Sequence, residues 1–191
     1  MTTLVFATNN QNKLREVQAL MPDHIQLKSL QDIGCHEDIV EDADTIEGNA
    51  ILKAKYIKEH YGYDCFADDT GLEVAALNGA PGVYSARYAG PQKNADDNID
   101  KLLIALAVRF DRKARFKTVI AFAKAEEIYT FEGICEGEIT KERRGDGGFG
   151  YDPIFKPNGY QATFAEMALA LKSNIGHRGK AMKIFLDFMA Q

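Results

Sequence analysis

Residues 4–21 read LVFATNNQNKLREVQALM, and a change of rhythm inside that stretch decides the kind of fold. Leu4 to Ala7 is an unbroken apolar run, closed by Thr8-Asn9-Asn10; beyond it Leu14, Val17, Leu20 and Met21 recur at the spacing of one helix face. The stretch is therefore strand, polar turn, helix. The same alternation continues downstream. From Thr45, the residues Ile46, Ala50, Ile51, Ala54 and Ile57 form a helical stripe, with Gly62 as its stop. Cys65-Phe66-Ala67 is a short apolar strand, predicted to end where Asp68-Asp69-Thr70-Gly71 presents two carboxylates before a glycine turn.

Gly79-Ala80-Pro81-Gly82 marks a loop, and Asn94 to Val108 reads as a helix with Ile99, Leu102, Leu103 and Leu106 inward. Two β-rich stretches, Phe116 to Ala125 and Ile128 to Ile139, flank Glu126-Glu127 and are expected to pair antiparallel. A closing helix is predicted over 178–189, with Ala181, Ile184, Phe185 and Phe188 as its apolar face. Interleaved helices and strands with one antiparallel hairpin define an α/β chain with a mixed sheet. The sequence shows no repeat, linker or low-complexity tract, so a single domain over 1–191 is expected.

With 46% of 191 residues apolar and 27% charged, the chain can close a core and keep a polar surface, which excludes a disordered or collagen-like polypeptide. Its net charge of −5 argues against binding a long nucleic-acid backbone, which needs an excess of Lys and Arg. Seven of the 28 acids lie between Asp32 and Glu47, however, and without them the balance turns positive, so a small anionic substrate is compatible. No apolar run approaches a membrane span, Val119 to Ala123 being short and followed by Lys124, and MTTLVFATNN lacks the basic start of a secretory signal. A cytoplasmic protein with no membrane partner is expected. Cys35, Cys65 and Cys135 are too scattered for a zinc knuckle or a disulfide framework and read as reduced, partly buried thiols.

Four constellations can carry chemistry. Thr8-Asn9-Asn10-Gln11-Asn12-Lys13 sets small polar side chains and a lysine at a helix start, which suits either a phosphate cradle or an ordinary capped turn; without GxxxxGK[ST] it is no P-loop. The acidic stretch 32–47 reads as a solvated loop or as the source of a carboxylate for a metal, with a second carboxylate from Asp68-Asp69. Because successive strand residues face opposite sides, only one of those aspartates is expected to serve a shared site. Gly145-Asp146-Gly147-Gly148-Phe149-Gly150-Tyr151-Asp152-Pro153 contains a formal GxGxxG, yet a charged segment precedes it and no helix opens after it, so it is not a dinucleotide fingerprint. It remains a loop whose aromatics stack on a flat base or plug the core. Finally, Lys172-Ser173-Asn174-Ile175-Gly176-His177-Arg178 makes an electropositive helix start, against the usual macrodipole preference, or else a solvated basic turn.

Together, ATNNQNKLREV, TIEGNAILKAKY, FADDTGLEVAALNGAPGVYSARYAG, GDGGFGYDPIF and KSNIGHRGKAM resemble the inosine/xanthosine triphosphate pyrophosphatase family, in family order from Ala7 to Met182. The resemblance implies an elongated mixed β-sheet with flanking helices, forming two lobes around a central nucleotide-binding cleft, usually in a homodimer. It implies magnesium-dependent hydrolysis of ITP, dITP and XTP between the α and β phosphorus, which removes non-canonical purines from the nucleotide pool. By position, Thr8, Asn9, Asn10, Gln11, Asn12, Lys13 and Lys53 would hold the triphosphate. Glu41 and Asp69 would serve Mg2+, with Asp69 also the general base, and Thr70 would touch substrate in place of a common serine. Phe149 would stack on the base beside Gly150, Tyr151 and Asp152, while Lys172, His177 and Arg178 would close over base and phosphates.

Asn9 stands where many relatives have glycine, and Asp38 or Asp42 are alternatives to Glu41. Donors such as His177 and Arg178 would favour a 6-oxo purine over adenine, whose amino group would meet unpaired donors. The competing readings are a pyrophosphatase of similar architecture with another base preference and a nucleotide sensor without turnover.

Overall fold

The computed structural model describes residues 2–191. In chain order the elements are β1 (Thr2–Phe6), α1 (Gln11–Gln18), β2 (Ile25–Lys28), α2 (Ile46–Tyr61), β3 (Cys65–Val74), β4 (Pro81–Gly82), α3 (Ala95–Ala105), β5 (Lys113–Lys124), β6 (Glu127–Ile139), β7 (Phe155–Pro157), α4 (Leu169–Ile175) and α5 (His177–Met189). The strands are hydrogen-bonded in the order β2-β1-β3-β5-β6-β7, with β4 on β3. β1 is parallel to both β2 and β3, whereas β4 on β3 and β7 on β6 are antiparallel, so the sheet is mixed as expected. Parallel neighbours require crossovers, which α1 and α2 supply. Between β5 and β6 only Ala125 and Glu126 intervene, one residue earlier than expected; Ala125 takes the left-handed conformation at φ 51°.

The chain divides into two compact units. The first contains the chain up to Asp69, Thr118–Gly133 and Arg178–Gln191. Its core gathers Leu4, Phe6, Val17, Phe66, Ile120, Phe122 and Phe185, with Phe6 and Phe66 stacked at 4.7 Å. Leu20 and Met21 lie beyond the end of α1 yet still pack on this core. Buried residues of α5 after His177 are Arg178, Ala181, Met182 and Phe185, while Ile184 is 49% exposed. The expected stripe is thus displaced, because the inward-turned Arg178 shifts the centre of the buried face and carries Ile184 to its rim.

The second unit contains Thr70–Lys117 and Ile134–His177. Leu72, Ile99, Leu102, Leu106, Phe116, Ile154, Phe155 and Phe164 form its core. Asn94 caps α3 by accepting the Asp97 N–H at 3.0 Å. The largest departure from expectation is in β3, which does not stop at the aspartates: it runs ten residues, and Leu72 and Glu73 pair with Gly82 and Pro81. No turn forms at Gly71, because fully buried Leu72 and Val74 continue the strand pattern and the two acids find cations instead of solvent.

Candidate active site

In the first unit, β1 hands the chain to α1 through a turn in which each polar side chain has a task. Asn10 Oδ1 accepts the backbone N–H groups of Asn12 at 3.0 Å and Lys13 at 3.2 Å, and Thr8 Oγ1 accepts that of Asn10 at 3.1 Å. This is a true helix cap, and it leaves Asn9, Gln11 and Asn12 exposed at a helix N-terminus. Asn9 does not adopt positive φ; among the described residues only Asn78, Lys93 and Ala125 do so without being glycine. The backbone at position 9 therefore does not call for glycine.

Lys13 reaches from the first turn of α1 to Asp68, Nζ to Oδ1 2.9 Å. Burial lowers its pKa despite the facing carboxylate. Asp68 is 1% exposed, and its other oxygen accepts from Arg178 Nε at 2.8 Å; Arg178 Nη1 is bound in turn by Glu16 at 2.5 Å. Burial alone would raise the Asp68 carboxyl, but Lys13, Arg178 and Lys53 outweigh it and hold it well below the ordinary carboxylate range. The same acids keep the desolvated Arg178 firmly charged.

The neighbouring Asp69 behaves in the opposite way. Burial pushes its carboxyl upward, Glu41 and Asp68 add to the rise, and the attraction of Lys53 and Lys13 does not cancel it. Lys53 projects from α2, donates to the Asp68 carbonyl at 2.7 Å, and lies 2.9 Å from Glu41 and 3.7 Å from Asp69. Although desolvation opposes its charge, the three surrounding acids raise its pKa. Asp38 and Asp42 are exposed, so within the acidic stretch it is Glu41 that meets Lys53. Asp32 instead accepts from Ser29, and Glu37 from Tyr56 and Tyr61.

Among the described residues no three His, Cys, Asp or Glu side chains cluster as a ready-made metal cage. Glu41 and Asp69 nevertheless converge on one ammonium, and two carboxylates whose remaining partners are water and phosphate oxygens are what magnesium accepts. The donor set fits. Chemically, this unit holds two lysines and a helix N-terminus for anionic oxygens, beside a carboxylate of raised basicity, as hydrolysis of a phosphoanhydride needs.

The second unit holds the glycine-rich loop. Gly145, Gly148 and Gly150 all have positive φ. Gly148 is also spatially obligatory, since a Cβ there would stand 2.1 Å from Asp152 Oδ2. That oxygen accepts the Phe149 N–H at 2.9 Å and the Lys172 ammonium at 2.6 Å, in a pair almost wholly buried. Lys172 Nζ lies 4.8 Å from the centroid of the half-buried Phe149 ring and 5.6 Å from that of Phe164. Lys172 sits in α4, a helix not foreseen from sequence, and Gly176 separates it from α5; the electropositive helix start is therefore His177 and Arg178 alone.

Tyr151 is buried and donates to the Ser85 carbonyl at 2.7 Å, and the His177 ring lies 4.6 Å from Phe116 in the aromatic core. Thr70 is half-buried on β3 directly after Asp69. Thus Lys13, Lys53, Glu41 and Asp69 come together in one unit, and Phe149, Asp152 and Lys172 in the other. Sequence reasoning missed Glu16 and Asp68 as partners of the cations. Glu16 was findable, three residues after Lys13 and hence on the same face of α1.

A mixed α/β chain that sets two lysines and a helix N-terminus beside a buried carboxylate has the chemistry of a hydrolase for phosphorylated substrates. Its residues 4–188 match the model of the Ham1 family, and the chain belongs to that family. It is 61% identical to a dITP/XTP pyrophosphatase of Flavobacterium johnsoniae, with 97% of each chain covered, and 52% identical to one of Porphyromonas gingivalis, covering 99% of this chain and 98% of that one. Among solved structures it is similar to a Ham1 protein of Coxiella burnetii, at TM-score 0.91 and 40% identity over 100% of this chain and 99% of that one. The Ham1 protein of Staphylococcus aureus gives TM-score 0.90 and 38% identity over 99% and 98%.

Proposed function

We propose that this chain hydrolyses dITP, ITP and XTP to the nucleoside monophosphate and pyrophosphate, clearing non-canonical purines from the nucleotide pool. The observation that carries this reading is the Lys13, Lys53, Asp69 and Glu41 cluster, in a chain matched end to end by dITP/XTP pyrophosphatases. Lys13 and Lys53, with Thr8, Asn10 and the exposed turn Asn9, Gln11 and Asn12, neutralise and orient the triphosphate. Asp69 accepts a proton from the attacking water, helped by the raised basicity that burial gives it. The new bond joins water oxygen to the α-phosphorus, the bond from that phosphorus to the bridging oxygen breaks, and pyrophosphate departs.

Glu41 and Asp69 would hold magnesium, which when bound supplies charge neutralisation on the phosphate oxygens. Phe149 offers a ring face for the purine, with Gly150, Tyr151 and Asp152 shaping its surroundings, while Lys172, His177 and Thr70 complete the contacts. Arg178 acts through Asp68 instead of at the base. A homodimer in the cytoplasm, where the nucleotide pool lies, completes the proposal; no helix of the described residues is long and apolar enough to cross a membrane.

The test is pyrophosphate release from a panel of nucleoside triphosphates with and without magnesium. Turnover of dITP and XTP far above GTP, ATP and dUTP is expected. Silence on dITP and XTP would overturn the reading, and equal turnover of dUTP would move it to another base preference.

A further inference from the structure

The acidic segment that carries Glu41 is laid along α2 by a ladder of contacts within the first unit. Ala43 N–H donates to Asn49 Oδ1 at 3.0 Å, Glu41 meets Lys53 at 2.9 Å, and Glu37 Oε1 accepts from Tyr56 at 2.9 Å and from Tyr61 at 2.7 Å. Asn49, Lys53 and Tyr56 stand at i, i+4 and i+7, so they line one face of the helix. The segment therefore runs antiparallel to α2, touching it at 43, 41 and 37 in turn. Its closeness is enforced at Gly48, where a Cβ would meet Ala43 Cβ at 2.7 Å. Asn49 is 1% exposed and Lys53 6%, so two of the three rungs are built into the protein.

At this rung Glu37 accepts from two phenol hydroxyls and from the His36 N–H at 3.1 Å, and the Cys35 thiol lies within hydrogen-bonding reach as well. Its carboxyl is lowered to about 2, first by the Tyr61 hydroxyl, so the clamp is ionised at neutral pH. Tyr56 is itself held by a stack on His60 with centroids 4.1 Å apart. Neither the acidic composition of the segment nor the Lys53 pair explains why one carboxylate should be given two tyrosines at once. Its place does: four residues before Glu41, it ties down the N-terminal end of the span that brings Glu41 to Lys53.

We propose that Glu37, Tyr56 and Tyr61 are positioning residues, which with Asn49 hold the 37–43 segment so that Glu41 stays at the metal-binding position. This rests on the metal role proposed above for Glu41. None of the three needs to touch substrate.

The test compares the wild type with Tyr56→Phe/Tyr61→Phe, which keeps both rings and removes both donors, and with Glu37→Gln. Partners that orient a metal ligand typically contribute 10- to 100-fold to metal affinity. The magnesium concentration for half-maximal turnover should therefore rise about ten-fold or more in the double variant, with KM for dITP at saturating magnesium little changed. Independently of activity, Mn2+ binding followed by electron paramagnetic resonance should weaken by the same factor, and amides 38–43 should exchange faster. In a Glu41→Gln background the tyrosine substitutions should have no further effect on turnover. An unaltered magnesium and manganese dependence in the double variant, or an undiminished effect when Glu41 is already gone, overturns the proposal. Wild-type protein inactive on dITP and XTP would instead overturn the functional reading, which the same plate reports separately.

Discussion

Replacing Arg178 by Met should destabilise the protein far more than loss of a surface cation, and the size follows from its partners. The guanidinium is 3% exposed and binds two carboxylates that are themselves buried, Asp68 at 1% and Glu16 at 7%. Removing one side of a buried pair costs about 3–5 kcal/mol, because the remaining charge keeps its desolvation penalty. Asp68 retains Lys13 at 2.9 Å, which places the expectation at the lower end, about 3 kcal/mol. In urea, with a slope of about 2 kcal/mol per molar, the midpoint should fall by about 1.5 M. The chain has no Trp, so far-ultraviolet circular dichroism and emission from its 8 tyrosines are the probes.

Arg178→Lys should recover only part of the loss, since a single ammonium cannot span both acids as the planar fork does. The pH dependence has a definite sign. Asp68 has a folded pKa below its unfolded value near 3.9, so its contribution is present above that value and is lost as pH falls through the folded pKa. The gap between wild type and variant should therefore be full above about pH 5 and narrow toward pH 4 and below. A midpoint shift under about 0.4 M at pH 7, the scale of an exposed ion pair, would refute the reasoning.

Asp69→Asn should lower kcat by about 10²- to 10⁴-fold while nucleotide affinity by titration calorimetry stays near wild type; a loss below ten-fold would remove Asp69 as the base. Gly148→Ala should cost about 1–3 kcal/mol, because φ +70° is unfavourable for alanine and the new Cβ would displace Asp152 Oδ2. A thermal midpoint lowered by several degrees is expected, and an unchanged one would show that the loop relaxes without strain.

Much of the molecule was readable from local pattern. Thr45 and Gly62 bound α2 because a hydroxyl cap and a left-handed glycine are chemical necessities at helix ends, and Asn94 starts α3 for the same reason. What was not readable depends on partners distant in the chain. Asp68-Asp69 looks like the end of a strand until the cations from residues 13, 53 and 178 are in place, since unpaired acids would break the strand and paired ones do not. Ile184 looks inward until buried Arg178 shifts the face of α5. Tyr151 and Asp152 sit in a recognisable loop, yet their local sequence does not reveal that one donates to Ser85 and the other pairs with Lys172. Five motifs in order pointed to the family, whereas the charges gathered around Asp68 and Asp69 come from far along the chain.

The adjacent aspartates show how those charges divide labour. Strand geometry turns Asp68 and Asp69 to opposite faces, so their closest cations differ although Lys13 and Lys53 act on both. Asp68 receives Lys13 and Arg178 directly and becomes a permanent anion; Asp69 shares the more distant Lys53 with Glu41, and burial prevails. Two carboxylates pushed in opposite directions by their surroundings are the pattern from which acid and base roles are made. The pull of Lys53 on Asp69 does not overcome burial, and Lys53 is shared between two acids and the Asp68 carbonyl, a division that in turn requires Glu41 to be held beside it. A Glu37 clamp that holds Glu41 would thus bear on the proposed base as well as on the proposed metal position. Loosening it frees Lys53 from Glu41, strengthens its hold on Asp69 and lowers the basicity of that carboxylate, so Tyr56→Phe/Tyr61→Phe should lower kcat even at saturating magnesium, and an unchanged kcat there would confine the clamp to the metal.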